Sequence, residues 1–84
     1  MKQKIRALHI NEVRRLLDHS RIDREPVEVE CFTTDGRLIR YRGWLVKSSS
    51  WRNGTHNLVN PVNGQVRKII DILIININGY SMYL

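Results

Sequence analysis

Four dipeptides punctuate most of this 84-residue chain: Asp35-Gly36, Asn53-Gly54, Asn63-Gly64 and Asn78-Gly79. Each stands between stretches rich in Val, Ile, Leu, Tyr or Thr. A type I′ turn requires φ > 0 at both central residues, and Asn-Gly or Asp-Gly meets that requirement at least steric cost. Residues 27–84 are therefore expected to form about five strands joined by tight hairpins.

The side-chain period supports this reading. Val27, Val29, Cys31 and Thr33 alternate with Glu28, Glu30 and Phe32, so one face of a first strand is apolar. A second strand over about 38–47 puts Ile39, Tyr41, Gly43 and Leu45 on one side and Arg40, Arg42, Trp44 and Val46 on the other. Gly43 inside that strand predicts a bend or bulge, which a small barrel needs where one strand serves two sheets. A third strand over about 55–60 is cut short by Pro61, which cannot donate to a ladder. A long fourth strand over about 65–77 breaks its period near Ile69-Ile70-Asp71, predicting a second bend. The final strand covers 80–84.

Residues 1–26 differ in character. Ile5, Leu8, Val13, Leu16 and Leu17 fall at helical spacing among Lys4, Arg6, Arg14, Arg15 and Asp18. Asn11 fits an N-cap with Glu12 in the first turn, giving a helix over about 11–20. Residues 4–10 are either an earlier turn or an extended arm. Glu25 before Pro26 closes the segment. The expectation is one domain over 1–84: a helical segment at 1–26, then a five-stranded antiparallel meander at 27–84 rolled into a small barrel.

Local residues carry a resemblance. Asp35-Gly36-Arg37 followed by Gly43-Trp44-Leu45 resembles the Sm-type pattern of a turn and a glycine-bent second strand, and His56-Asn57-Leu58-Val59 resembles that family's Asn-containing third strand. The order of elements resembles Sm-like and SH3-like small β-barrels. The Arg-Gly pair of the second Sm signature is missing, with Arg67-Lys68 nearby instead, so that family's uridine-stacking residues are not carried over. The chain also resembles small uncharacterised proteins of phages and mobile elements of gut bacteria.

The formal charge is +6, and its location matters more than its size. Residues 36–70 hold seven cations, Arg37, Arg40, Arg42, Lys47, Arg52, Arg67 and Lys68, and no acid. The rest of the chain holds seven basic and eight acidic residues. Segregated charge of this kind implies an anionic partner. Cations neutralise phosphate and aromatic rings stack on unpaired bases, so Arg40, Arg42, Trp44, Trp51, Arg52, Arg67 and Lys68 form a candidate surface for single-stranded DNA or RNA.

Other chemistries have little support. Cys31 sits in the apolar register, which favours a buried thiol, and a Cys31–His56 dyad is the one nucleophile–base pairing to consider. One Cys and scattered His9, His19 and His56 give no metal-ligand spacing. The turn glycines lie too far apart for a phosphate loop, so no metal, cofactor or catalytic residue is expected. One cysteine, no long apolar leader and no stretch long enough to span a bilayer fit a soluble cytoplasmic protein without membrane contact.

Ile72-Leu73-Ile74-Ile75-Asn76-Ile77 is apolar on both faces and is followed at once by the terminal strand. An unshielded edge there would join copies of the chain into a homo-oligomer, whereas a helix covering the outer side would leave one chain sufficient. The expected function is a non-enzymatic, basic nucleic-acid-binding accessory domain. The alternative is a structural, assembly or adaptor module of a phage or mobile element acting through protein–protein contacts.

Overall fold

The computed structural model describes residues 7–84. The protein is mainly β with one N-terminal helix: β1 (Ala7–His9), α1 (Ile10–Asp23), β2 (Val27–Phe32), β3 (Leu38–Ser50), β4 (Thr55–Val59), β5 (Val66–Ile70), β6 (Ile74–Ile77) and β7 (Tyr80–Tyr83). The strands form one mixed sheet in the order β1-β7-β6-β2-β3-β4-β5. Its ends, β1 and β5, do not pair, so the sheet does not close. The expected five-stranded antiparallel barrel is thereby corrected to seven strands in an open sheet. Two features make the difference. A 3-10 turn at Asp71–Leu73 divides the long fourth strand, sending β5 to β4 and β6 to β2. The arm before the helix, meanwhile, supplies β1, parallel to β7. Lys4, Ile5 and Arg6 lie outside the described residues.

Helix α1 starts one residue before the expected span and runs longer. His9, not Asn11, is its cap: the His9 Nδ1 accepts from the Asn11 N–H at 3.1 Å. Val13, Leu17 and Ser20, spaced by four and three, are the buried stripe, while Leu8 packs on the core from β1 instead. At the C-cap Arg24 turns left-handed (φ 55°), its N–H bonding the Ser20 carbonyl, before Pro26 bars continuation.

The core lies between α1 and the sheet: Val13, Leu17, Val27, Val29, Cys31, Tyr41, Val46, Leu58, Ile69, Ile74 and Ile77. Strand β3 shows how it is assembled. Gly43 (φ 70°) is an extra residue, because Arg42 faces Glu28 while Trp44 faces Val27. The bulge reverses the alternation, so Trp44 and Val46 turn toward the core and leave the side of Arg40 and Arg42. Trp44 meets Tyr41 edge-on at 4.9 Å between ring centres. A second irregularity at Lys47 resets the register, and the inward face continues through Ser49 beside His56.

The apolar run at 72–77 is divided in the same manner. Ile74 and Ile77 both point inward across a bulge against β2, Ile75 is half-buried, and Ile72 is 57% exposed in the 3-10 turn. The terminal strand is not an open edge either: β1 covers it, Ala7 facing Ser81, Leu8 facing Met82 and His9 facing Tyr83. The motive for edge pairing at that strand is therefore removed. Among the described residues, no helix is long and apolar enough to cross a membrane.

Candidate functional site: a buried charge cluster and an acid-free half-sheet

Two polar constellations stand out. The first is internal. His56 on β4 is 1% exposed, and both its ring nitrogens meet carboxylates. Nδ1 lies 2.7 Å from Asp71 Oδ1 and Nε2 lies 3.1 Å from Asp18 Oδ1. A neutral imidazole has only one N–H, so satisfying both contacts requires the imidazolium. Arg14 Nε donates to the other Asp71 oxygen at 3.0 Å, and the Trp51 indole N–H donates to the second Asp18 oxygen. The Arg14 guanidinium lies over the Trp51 ring, 5.2 Å from its centre. Two cations and two anions thus neutralise one another.

The members come from four pieces of chain, with His56 on β4. Arg14 and Asp18 are one turn apart on α1, Trp51 lies in the β3–β4 loop, and Asp71 opens the 3-10 turn. Gly54 completes the arrangement. It is left-handed (φ 66°), its carbonyl takes the Asp71 N–H at 2.9 Å, and a Cβ there would stand 3.3 Å from the Arg14 guanidinium.

Electrostatics follow the geometry. Burial pushes the His56 pKa down, but the hydrogen bonds and charges of Asp71 and then Asp18 outweigh it, and the net shift is upward. For Asp18, burial pushes up, while bonds from Trp51, His56 and Ser49 and the His56 charge bring the net shift downward. Both His56 nitrogens are engaged by carboxylates, so the Cys31–His56 dyad does not form, and burial raises the Cys31 pKa, away from the reactive thiolate. Among the described residues no group of three or more His, Cys, Asp or Glu is placed to hold a metal ion.

The second constellation is the basic region, which the fold distributes. Arg40 and Arg42 project from the outer face of β3, each opposite a glutamate of β2. Arg40 bonds Glu30 at 2.8 Å and Arg42 stands 3.5 Å from Glu28. Asn76 donates to the other Glu30 oxygen. Bonds from Arg40 and Asn76 lower the Glu30 pKa. Arg37 pairs with Asp35. Trp44 is turned inward, and Trp51, 46% exposed, is fastened to Asp18 beneath Arg14. Arg52 sits in the same loop. Arg67 and Lys68 lie two strands away from Arg40 and Arg42, on edge strand β5. The seven candidates therefore do not converge on one surface.

What remains is an electrostatic asymmetry. Strands β3, β4 and β5 lie wholly inside the acid-free interval. Among the described residues, Lys47, Arg52, Arg67 and Lys68 have no acid within 4 Å. The buried cluster escaped sequence reasoning, because Asp18 and Asp71 each look like surface acids and His56 is a lone histidine. Its available signal was His56 standing between Thr55 and Asn57 at an inward position of a short strand, where burial demands partners. No protein-family model, curated protein or solved structure matches the chain.

Proposed function

We propose that the chain is a non-enzymatic binding protein that engages an acidic protein partner through the half-sheet β3–β5, in an assembly or adaptor role. The observation carrying this reading is the absence of any acid from three consecutive strands, with Lys47, Arg52, Arg67 and Lys68 left without acidic neighbours among the described residues. Cations held this way keep their field for a partner.

A single-stranded nucleic acid is the second reading, favoured by the same four cations. It loses ground because Trp44 is turned inward against Tyr41, and Trp51, although 46% exposed, has Arg14 over its ring and its N–H bonded to Asp18. The test is fluorescence anisotropy with labelled polyglutamate and labelled oligouridylate across a salt series. Tighter binding of polyglutamate supports the protein-partner reading. Tighter binding of oligouridylate, with log affinity falling by roughly 0.7 per neutralised phosphate against log salt, transfers the function to nucleic acid.

A further inference from the structure

Strand β5 (Val66–Ile70) is the last strand on its side of the sheet, and its outer edge has no ladder partner. Natural sheets blunt such edges with lysine, proline or a covering segment. Here two adjacent cations, Arg67 and Lys68, occupy the middle of the strand.

Directly paired residues of a sheet share a face, so the register fixes where these side chains point. Arg67 pairs with buried Leu58 and lies on the inner face; Lys68 pairs with Asn57 and lies on the outer face. At the edge itself a cleft of 310 Å³ opens between β5 and the end of β2, lined by the inward Cys31, Tyr41 and Ile69 and by the outward Phe32, Lys68 and Ile70. On the outer side, Leu45, Val59 and Val66 form one row across three strands. Val66 is exposed and Leu45 and Val59 are half-buried; none of the three belongs to the core. The edge thus offers main-chain hydrogen bonds, one cation to each side and apolar surface flanking both.

We propose that this edge accepts an extended segment of a partner protein as an added strand, the segment carrying two adjacent acidic residues flanked by β-branched apolar ones. This rests on the proposed acidic protein partner and specifies how that partner is held. Successive side chains of a strand point to opposite faces, so two adjacent acids reach Lys68 on one side and Arg67 on the other. The flanking apolar residues then meet Val66 on the outer face and the cleft between the edge and β2. The Arg67 guanidinium currently folds back on the Val66 carbonyl at 3.2 Å, a contact that an incoming carboxylate replaces with a stronger one. The same two cations repel a second β5, which disfavours a symmetric pairing of two copies through this edge.

The test uses the full chain labelled with ¹⁵N and two blocked peptides, Thr-Val-Asp-Glu-Val-Thr and Thr-Val-Lys-Lys-Val-Thr. The acidic peptide is expected to shift and protect the amides of Val66–Ile70, and the basic one to leave them unchanged. Arg67→Glu with Lys68→Glu should weaken the acidic peptide by at least about tenfold and admit the basic one. The variant's remaining amide spectrum reports that it folds. Binding of polyglutamate elsewhere, with β5 untouched, overturns the added strand and leaves the acidic-partner reading standing. Loss of both polyglutamate and peptide binding removes both. Sedimentation revealing a dimer with protected β5 amides, or oligouridylate shifting β5 more than the acidic peptide, also overturns it.

Discussion

His56 Nδ1 and Asp71 Oδ1 lie 2.7 Å apart inside the protein, and neither side chain is exposed. This contact ties β4 to the turn that separates β5 from β6, and through Arg14 it reaches the helix. Replacing Asp71 with Ala would leave the His56 and Arg14 cations facing each other without their shared anion. Breaking a buried pair from one side costs about 3–5 kcal/mol. Urea denaturation of Asp71→Ala should register a loss of that order. A loss no larger than an ordinary surface substitution would mean that the cluster does not hold the helix to the sheet.

Stability should also depend on pH from both directions. The His56 pKa is raised in the folded state, so its contribution is complete below the unfolded value near 6.5 and disappears as pH rises through the higher folded value. The Asp18 pKa is lowered, so its contribution is complete above the unfolded value near 3.9 and disappears as pH falls through the lower folded value. Denaturation midpoints across pH should form a plateau from about 4 to 6.5 that falls on the alkaline side. In His56→Gln the alkaline fall should vanish; its persistence would assign the effect to another group.

The four turn dipeptides located the hairpins but overstated what they share. Only Asn78 and Gly79 are both left-handed, with φ of 49° and 84°. At Gly36, Gly54 and Gly64 the glycine alone is left-handed, because those loops are longer and the residue before it keeps φ < 0. Composition marks where a chain reverses; loop length decides which turn does it. Gly79→Val should therefore destabilise by more than about 1 kcal/mol, and Gly54→Ala should also destabilise because it strains φ and crowds Arg14. Thermal melts of both variants measure this. A neutral Gly79→Val would contradict the I′ geometry.

The strand faces were legible as far as the first bulge. Alternation in β2 placed Val27, Val29 and Cys31 inside, as observed, and Gly43 announced a bulge. Extending the same alternation past Gly43 put Trp44 with the arginines, although an inserted residue reverses every side chain that follows it. The parallel β1–β7 pair and the contact of Asp18 with His56 were not legible: each joins distant segments by geometry, with no local pattern to betray it.

Cys31 offers a direct check on core integrity. It is 3% exposed, and burial raises its pKa. Its reaction with a thiol reagent at neutral pH should be slow in the native chain and limited by opening of the structure, then fast in urea. Rapid native labelling would place the thiol at the mouth of the cleft beside β5 rather than in the core.

The last prediction separates the two groups of cations. Arg40 and Arg42 already face Glu30 and Glu28 across an exposed ladder, whereas Arg52 and Lys68 face no acid among the described residues. Each double substitution by Gln removes two positive charges, so a partner sensing only net charge would respond equally to both. A partner contacting the acid-free half-sheet would not. The slope of log affinity against log salt for polyglutamate should fall more in Arg52→Gln/Lys68→Gln than in Arg40→Gln/Arg42→Gln, with denaturation midpoints little changed in either. Equal slopes would show that binding follows overall charge, and a larger fall in the Arg40/Arg42 variant would return the site to the outer face of β3.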